Sequence, residues 1–138
     1  MDPVRSCLFC KIAEKEIPAS IIFEDDAAAA FLDVHPQTLG HTIVIPKEHR
    51  ETILDTPENE LASVFGAVKK AVELIKRKLH PDGFTIGMNH GKAGGQVVPH
   101  LHIHIMPRWN GDGGSSVHGV VNNPPKQSIE EVLKILKG

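Results

Sequence analysis

Long apolar runs are missing from this chain of 138 residues. No stretch approaches the ~18 consecutive apolar residues of a membrane span, and the opening MDPVRSCLFCKIAEKEIP lacks the apolar centre of a secretory signal. No membrane partner is expected, and a cytoplasmic location is. Basic runs are missing too: 15 Lys and Arg nearly balance 17 Asp and Glu, for a formal net charge of -2. No basic segment is interleaved with aromatics, so nothing offers a footprint for a phosphate backbone, which argues against a nucleic-acid polymer as partner. Cysteine is scarce. Cys7 and Cys10 are the only two, and a C-x-x-C in a reducing compartment points to metal or redox chemistry rather than a structural disulfide. Repeats, low-complexity tracts and linkers are absent, and the length suits a single domain over residues 1–138 that buries its own core.

Histidine is what the chain has in excess, with nine. Three stand in HLHIHIM, residues 100–106. A strand turns successive side chains to opposite faces, so His100, His102 and His104 should line one face while Leu101, Ile103 and Ile105 line the other. Residues i and i+2 lie about 7 Å apart on a strand and i and i+4 about 13 Å, so one ion with ~2 Å bonds is not held by all three. At least one imidazole has another task. A neutral imidazole is a good nucleophile toward phosphorus, and the charge that gathers on nonbridging oxygens calls for donors already in place. The preceding GKAGGQ supplies backbone N–H groups, since Gly94 and Gly95 let the chain approach a phosphate without a Cβ in the way. It is not a Walker A loop, because G-K-[ST] between a strand and a helix is absent. Solvent-facing or core histidines are the plain alternative, strained by three at strict alternation.

The remaining elements predict an α+β fold. CLFCKIAEKE has helical character, with Leu8, Ile12 and Phe9 inward, ending at Ile17-Pro18. SIIFEDD and AAAAFLDV read as strands joined at Asp25-Asp26, and HTIVIP as a third. A long amphipathic helix follows, with Thr56 as N-cap, Pro57 at the first helical position, and Leu61, Val64, Phe65, Val68, Val72, Ile75 and Leu79 at helical spacing. FTIGMN and HLHIHIMP make two more strands. Residues 107–127 read as a long irregular loop in which His118 is an exposed histidine. Ser128 with Glu131 forms a capping box for a last helix holding Ile129, Val132, Leu133 and Leu136. Strands joined by short connections favour an antiparallel sheet with helices packed on it.

HLHIHIM matches the His-φ-His-φ-His-φ-φ signature of the histidine-triad family of nucleotide hydrolases and transferases. GKAGGQ fits that family's phosphate loop, and FLDVHPQTLGHTIVIPKEH, CLFCKI and EIPASIIFEDD resemble its other blocks. The resemblance spans about Cys7 to Trp109. It implies a five-stranded antiparallel sheet with one long helix and short terminal helices, a homodimer, and purine nucleotide substrates with a leaving group on the α-phosphate. It also implies roles. His102 would attack the α-phosphorus, His104 would donate to a nonbridging oxygen, His100 would orient the site, and His41 would support the triad from a neighbouring strand. Asp33 would take the ribose hydroxyls, while Phe9, Ile12 and Val34 would wall the base. Asn89, Gly95, Gln96 and Val97 would lie along the phosphate and leaving group. Val97 departs from the family's usual hydroxyl residue and His90 from a small or amide residue, which bears on the leaving group.

Some microbial members of that family resemble this chain in a zinc site. The resemblance implies a structural zinc held by Cys7, Cys10, His49 and His100, leaving His102 and His104 for phosphate. Three activities stay open. The first is hydrolysis of nucleoside phosphoramidates or dinucleoside polyphosphates to AMP, and the second is phosphorolysis or nucleotidyl transfer. The third is a catalytically weak nucleotide-binding module.

Overall fold

The computed structural model describes residues 3–138. Five strands, β1 (Ile21–Glu24), β2 (Ala28–Leu32), β3 (Thr42–Pro46), β4 (Gly83–Gly87) and β5 (Ile103–Arg108), form one sheet of order β1-β2-β3-β5-β4. Every neighbouring pair is antiparallel, as the strand pattern predicts. The β1–β2 turn is made by the carboxylate of Asp25, which accepts from the backbone N–H of Ala27 and Ala28, both at 2.9 Å. Helix α1 (Pro3–Ser6) and helix α2 (Leu8–Ala13) precede the sheet, the 22-residue α3 (Glu58–Leu79) joins β3 to β4, and α4 (Ile129–Lys137) closes the chain.

Each sheet face has its own core. On one, α3 lays Val64, Ala67, Val68, Ala71 and Ile75 against Ala28, Ala30, Val44, Ile103 and Ile105. On the other, Phe9 and Ile12 of α2 pack with Ala29, Phe31, Ile43 and Ile45. The alanines that make β2 look weak as a strand are the reason the helix fits. Small side chains on both surfaces leave room for close packing without voids. No helix among the described residues is long and apolar enough to cross a membrane.

Several local expectations shift. Pro57 rather than Thr56 occupies the N-cap of α3, because the Thr56 hydroxyl donates to the carbonyl of Thr52 at 2.6 Å and is spent there. The buried stripe of α3 runs through its alanines, so Phe65 is 46% and Leu79 36% exposed. In α2 the buried side is Phe9, Cys10 and Ile12, with Leu8 outward, and the helix ends at Ala13, ahead of Lys15 in the left-handed region at φ 64°. α4 keeps its predicted capping box, yet none of its residues is buried. Ladder pairing in β5 begins only at Ile103, and His100, Leu101 and His102 are all buried, so the opening of HLHIHIM is covered on both faces.

Candidate functional site

A turn through Gly40 delivers His41 to β3. Gly40 sits at φ +82°, where side chains are strained, and a Cβ there would stand 2.7 Å from Leu79 Cδ1. The ring of His41 is then held from both nitrogens: the Gln37 backbone N–H donates to Nδ1 at 3.1 Å, and Nε2 lies 2.9 Å from His104 Nδ1. A backbone N–H can only donate, so neutral His41 carries its proton on Nε2 and donates to His104. His104 then keeps its own proton on Nε2. Asp33, whose Oδ1 accepts the His35 N–H at 2.9 Å, places Oδ2 3.5 Å from His41 Nε2. Asp33, His41 and His104 offer ligand atoms within 4.8 Å of one another, but the Gln37 bond keeps Nε2 of His41 protonated, which suits a hydrogen-bond relay and not a cation.

The same accounting settles His102 and His100. Nδ1 of His102 donates to the backbone carbonyl of His100 at 2.7 Å, leaving Nε2 with the lone pair. Its ring lies edge-on to Phe9 at 5.0 Å and to His104 at 5.1 Å, so the two imidazoles lean closer than the 7 Å expected from backbone spacing. Nε2 of His100 donates to the carbonyl of Pro46 at 2.9 Å, so its bare Nδ1 faces sulfur, 3.2 Å from Cys7 Sγ and 3.4 Å from Cys10 Sγ. His49 Nδ1 lies 3.1 Å from Cys10 Sγ, and Cys7 caps α2 by accepting the Cys10 N–H at 3.3 Å. These four ligand atoms lie within 4.8 Å of one another. Two thiols and two imidazoles, one of them fixed by a carbonyl behind it, fit a tetrahedral thiophilic cation.

Burial pushes His100 and His104 down to about 4, with neighbouring imidazoles adding to the effect, and burial lowers His41 as well. Burial thus favours the uncharged ring at all three positions.

The other expected residues divide. Asn89 is exposed beside Gly95, which takes φ +94°, and a Cβ on Gly95 would meet the Asn89 amide at 3.6 Å. Gln96 is spent inside the loop: its carbonyl accepts the Gly91 N–H at 2.9 Å, and its amide donates to Glu51 O at 2.8 Å and Val98 O at 3.1 Å. Val97 lines a cleft with Cys7, His49 and Glu51, apart from the cleft that holds His104. Phe9 and Ile12 are buried core residues, whereas Val34 is 84% exposed. His118 is exposed, as expected, beside Ser116.

A cleft of about 890 Å³ opens beside His104, lined by Asn89, His90, Gly94, Thr85, Met106 and Arg108 and roofed by residues 112–121. The roof was not legible as such. Arg108 holds it down, donating twice to Asp112 (2.7 and 2.9 Å), once to Thr85 (2.9 Å) and once to the Ser115 carbonyl (2.6 Å). The R-x-x-x-D spacing was its one signal. Gln37 and Thr38 also reach this cleft.

A buried imidazole with a free Nε2, a second imidazole locked as a donor and a glycine turn beside them define a histidine-triad site. The chain belongs to the HIT domain family, whose model matches residues 14–111. It is 46% identical over 132 residues to a HIT-like protein of Methanocaldococcus jannaschii, covering 96% of this chain and 99% of that one. It is 39% identical over 108 residues to an adenylylsulfatase of Arabidopsis thaliana, covering 78% of this chain and 55% of the relative. The crystal structure of a histidine triad nucleotide-binding protein from Candida albicans superposes with a TM-score of 0.79 at 29% identity, over 96% of this chain and 92% of that one.

Proposed function

We propose that this protein hydrolyses purine nucleotides carrying a leaving group on the α-phosphate, releasing a nucleoside monophosphate such as AMP. The observation that carries the reading is the pair of ring tautomers: Nδ1 of His102 is tied to the His100 carbonyl, and Nδ1 of His104 accepts from His41. Nε2 of His102 attacks the α-phosphorus while the bond from phosphorus to the leaving group breaks, and the leaving group takes up a proton from solvent water as it departs. Nε2–H of His104 donates to a nonbridging oxygen as charge gathers there. Water then attacks phosphorus and gives up a proton to solvent, the P–N bond breaks, and Nε2 of His102 recovers its lone pair as the monophosphate leaves. Asp33 takes the ribose hydroxyls and Val34 covers the base, above a floor of Phe9 and Ile12. Asn89 at the rim meets the phosphate, since the N–H groups of Gly91, Gly94, Gly95 and Gln96 are spent within the loop and only shape its approach.

The charge of the cleft bears on the leaving group. Among the described residues Arg108 is the one guanidinium lining it, and that charge is paired with Asp112. A polyphosphate leaving group finds little counter-charge there, which favours an uncharged one, as in a phosphoramidate. Sulfate is a second candidate because of the plant relative named an adenylylsulfatase. Transfer to inorganic phosphate instead of water is the alternative outcome at the same site.

Zinc belongs to this reading as a structural ion held by Cys7, Cys10, His49 and His100. When bound it ties α2 to the start of the triad and contributes no step. The reading also includes a homodimer, supported by the exposed edge of β4, where Ile86 is 41% exposed.

The test is AMP release from adenosine 5′-phosphoramidate, diadenosine tetraphosphate and adenylyl sulfate by wild type and His102→Ala, with and without phosphate. Turnover lost in the variant supports the reading. Nucleotide binding without turnover of any substrate overturns it in favour of a binding module, and ADP formed only with phosphate marks a phosphorylase.

A further inference from the structure

We propose that Arg50 and Glu60 are positioning residues: their ion pair fixes the loop after β3 as the common anchor of the triad, the phosphate loop and the Cys/His cluster. The proposal rests on the triad being the reaction centre. Residues 47–52 belong to no strand or helix; Lys47 still donates its N–H to the Ala27 carbonyl at 2.8 Å and pairs with Glu24, but residues 48–52 lie beyond the paired part of β3. Yet three parts of the site hang from them. The Arg50 carbonyl accepts the N–H of Leu101, the residue between His100 and His102, at 2.6 Å. The Glu51 carbonyl accepts the Gln96 amide at 2.8 Å, and Gln96 in turn holds the Gly91 N–H. His49 meets Cys10.

What holds the loop itself is α3. The Arg50 guanidinium donates two bonds to the Glu60 carboxylate, Nε at 2.8 Å and Nη2 at 2.7 Å. Glu60 stands in the first turn of a helix whose next turns are locked into the core through Val64, Ala67 and Val68. Asp55 adds a local brace, accepting the N–H groups of Glu51 and Thr52. The strut therefore runs from the core through Glu60 and Arg50 to two backbone carbonyls, and from them to the triad and the phosphate loop.

A planar fork on a carboxylate sets direction as well as distance, which a lysine does not reproduce. Arg50 and Glu60 keep 30% and 25% of their side-chain surface exposed, so an ion pair of this kind adds little to global stability. Placement is another matter, since a misplacement near 1 Å at a reacting centre costs on the order of 100-fold in rate. A positioning role therefore differs from a merely structural one in its readout: removing the fork should leave melting nearly unchanged and lower kcat.

The variants are Arg50→Lys, Glu60→Gln and the two combined. Each is measured for kcat and KM of AMP release, for melting temperature and for cobalt(II) affinity read from thiolate-to-cobalt absorbance. The expected result is a fall in kcat of about tenfold or more with KM changed far less, a weaker cobalt affinity, and a double variant no worse than either single one. Faster amide exchange at Leu101 should accompany it. Wild-type kcat and cobalt affinity in Arg50→Lys would overturn the proposal, as would activity lost only in proportion to unfolded protein. If wild type turns over none of the three nucleotides, the functional reading fails, while cobalt affinity and Leu101 exchange still decide the strut.

Discussion

Nε2 of His41 stands 2.9 Å from Nδ1 of His104, and the opposite nitrogen of His41 accepts the backbone N–H of Gln37. One main-chain amide thus decides, two rings away, which nitrogen of His104 carries the proton. Replacing His41 with Phe removes the donor and frees His104 to take either tautomer. We expect kcat to fall by about 10- to 100-fold with a smaller change in KM, checked by steady-state AMP release.

A second expectation concerns pH. His104 is held below its ordinary value, at about 4 against 6.5, by burial first and then by the neighbouring imidazoles. The unfolded chain binds this proton more readily than the folded one, so stability rises with pH across that window. The contribution is intact above about 6.5 and is lost as pH falls toward 4. Denaturant titrations of wild type and His104→Gln from pH 4 to 7 should show the shallower slope in the variant.

Metal removal offers a third. The cluster closes a loop between Cys7 and His100, and an ion that binds only the folded chain adds its binding energy to folding. Chelator treatment should lower the melting temperature by on the order of 10 °C, and Cys10→Ser should lower it with no further response to chelator. Metal analysis finding less than about a tenth of an equivalent per chain would remove zinc from the proposed function.

The alanine seam between α3 and β2 makes a fourth test. Ala71 is fully buried in the cluster that holds Ala28 and Ala30. Ala71→Leu forces extra methylenes into that seam and should cost about 1–3 kcal/mol in urea unfolding. The exposed Phe65→Ser should cost far less.

Subunit association is the fifth. Sedimentation equilibrium should give twice the chain mass, and a charge placed at Ile86 on the exposed edge of β4 should return it to that of one chain.

The parts of this architecture that announce themselves in the sequence are those whose chemistry needs particular side chains at short spacing. The alternation of His100, His102 and His104, the C-x-x-C at Cys7 and the capping box at Ser128 are of that kind, and all five strands carry enough apolar pattern to be found. What stays hidden depends on partners far along the chain or on atoms every residue owns. Periodicity in α3 finds Val64, Val68 and Ile75 but also points to Phe65 and Leu79, because it weighs size, whereas Ala67 and Ala71 complete the buried face against Ala28, Ala30, Val44, Ile103 and Ile105. Nothing in His49-Arg50-Glu51 hints that two carbonyls there receive the Leu101 N–H and the Gln96 amide. The fold of residues 112–121 over the cleft follows from Arg108, of whose partners only Asp112, four positions on, lies within a local pattern, while Thr85 is 23 positions away.

Cys7 and His100 are separated by 93 positions. At typical translation rates the thiols leave the ribosome on the order of ten seconds before the imidazole that faces them. His49 follows Cys10 by 39 positions, so its loop joins α2 part-way through that interval and β5 comes only at its end. The two thiols, buried in the folded chain, are therefore uncovered until the strand that carries His100 has been made.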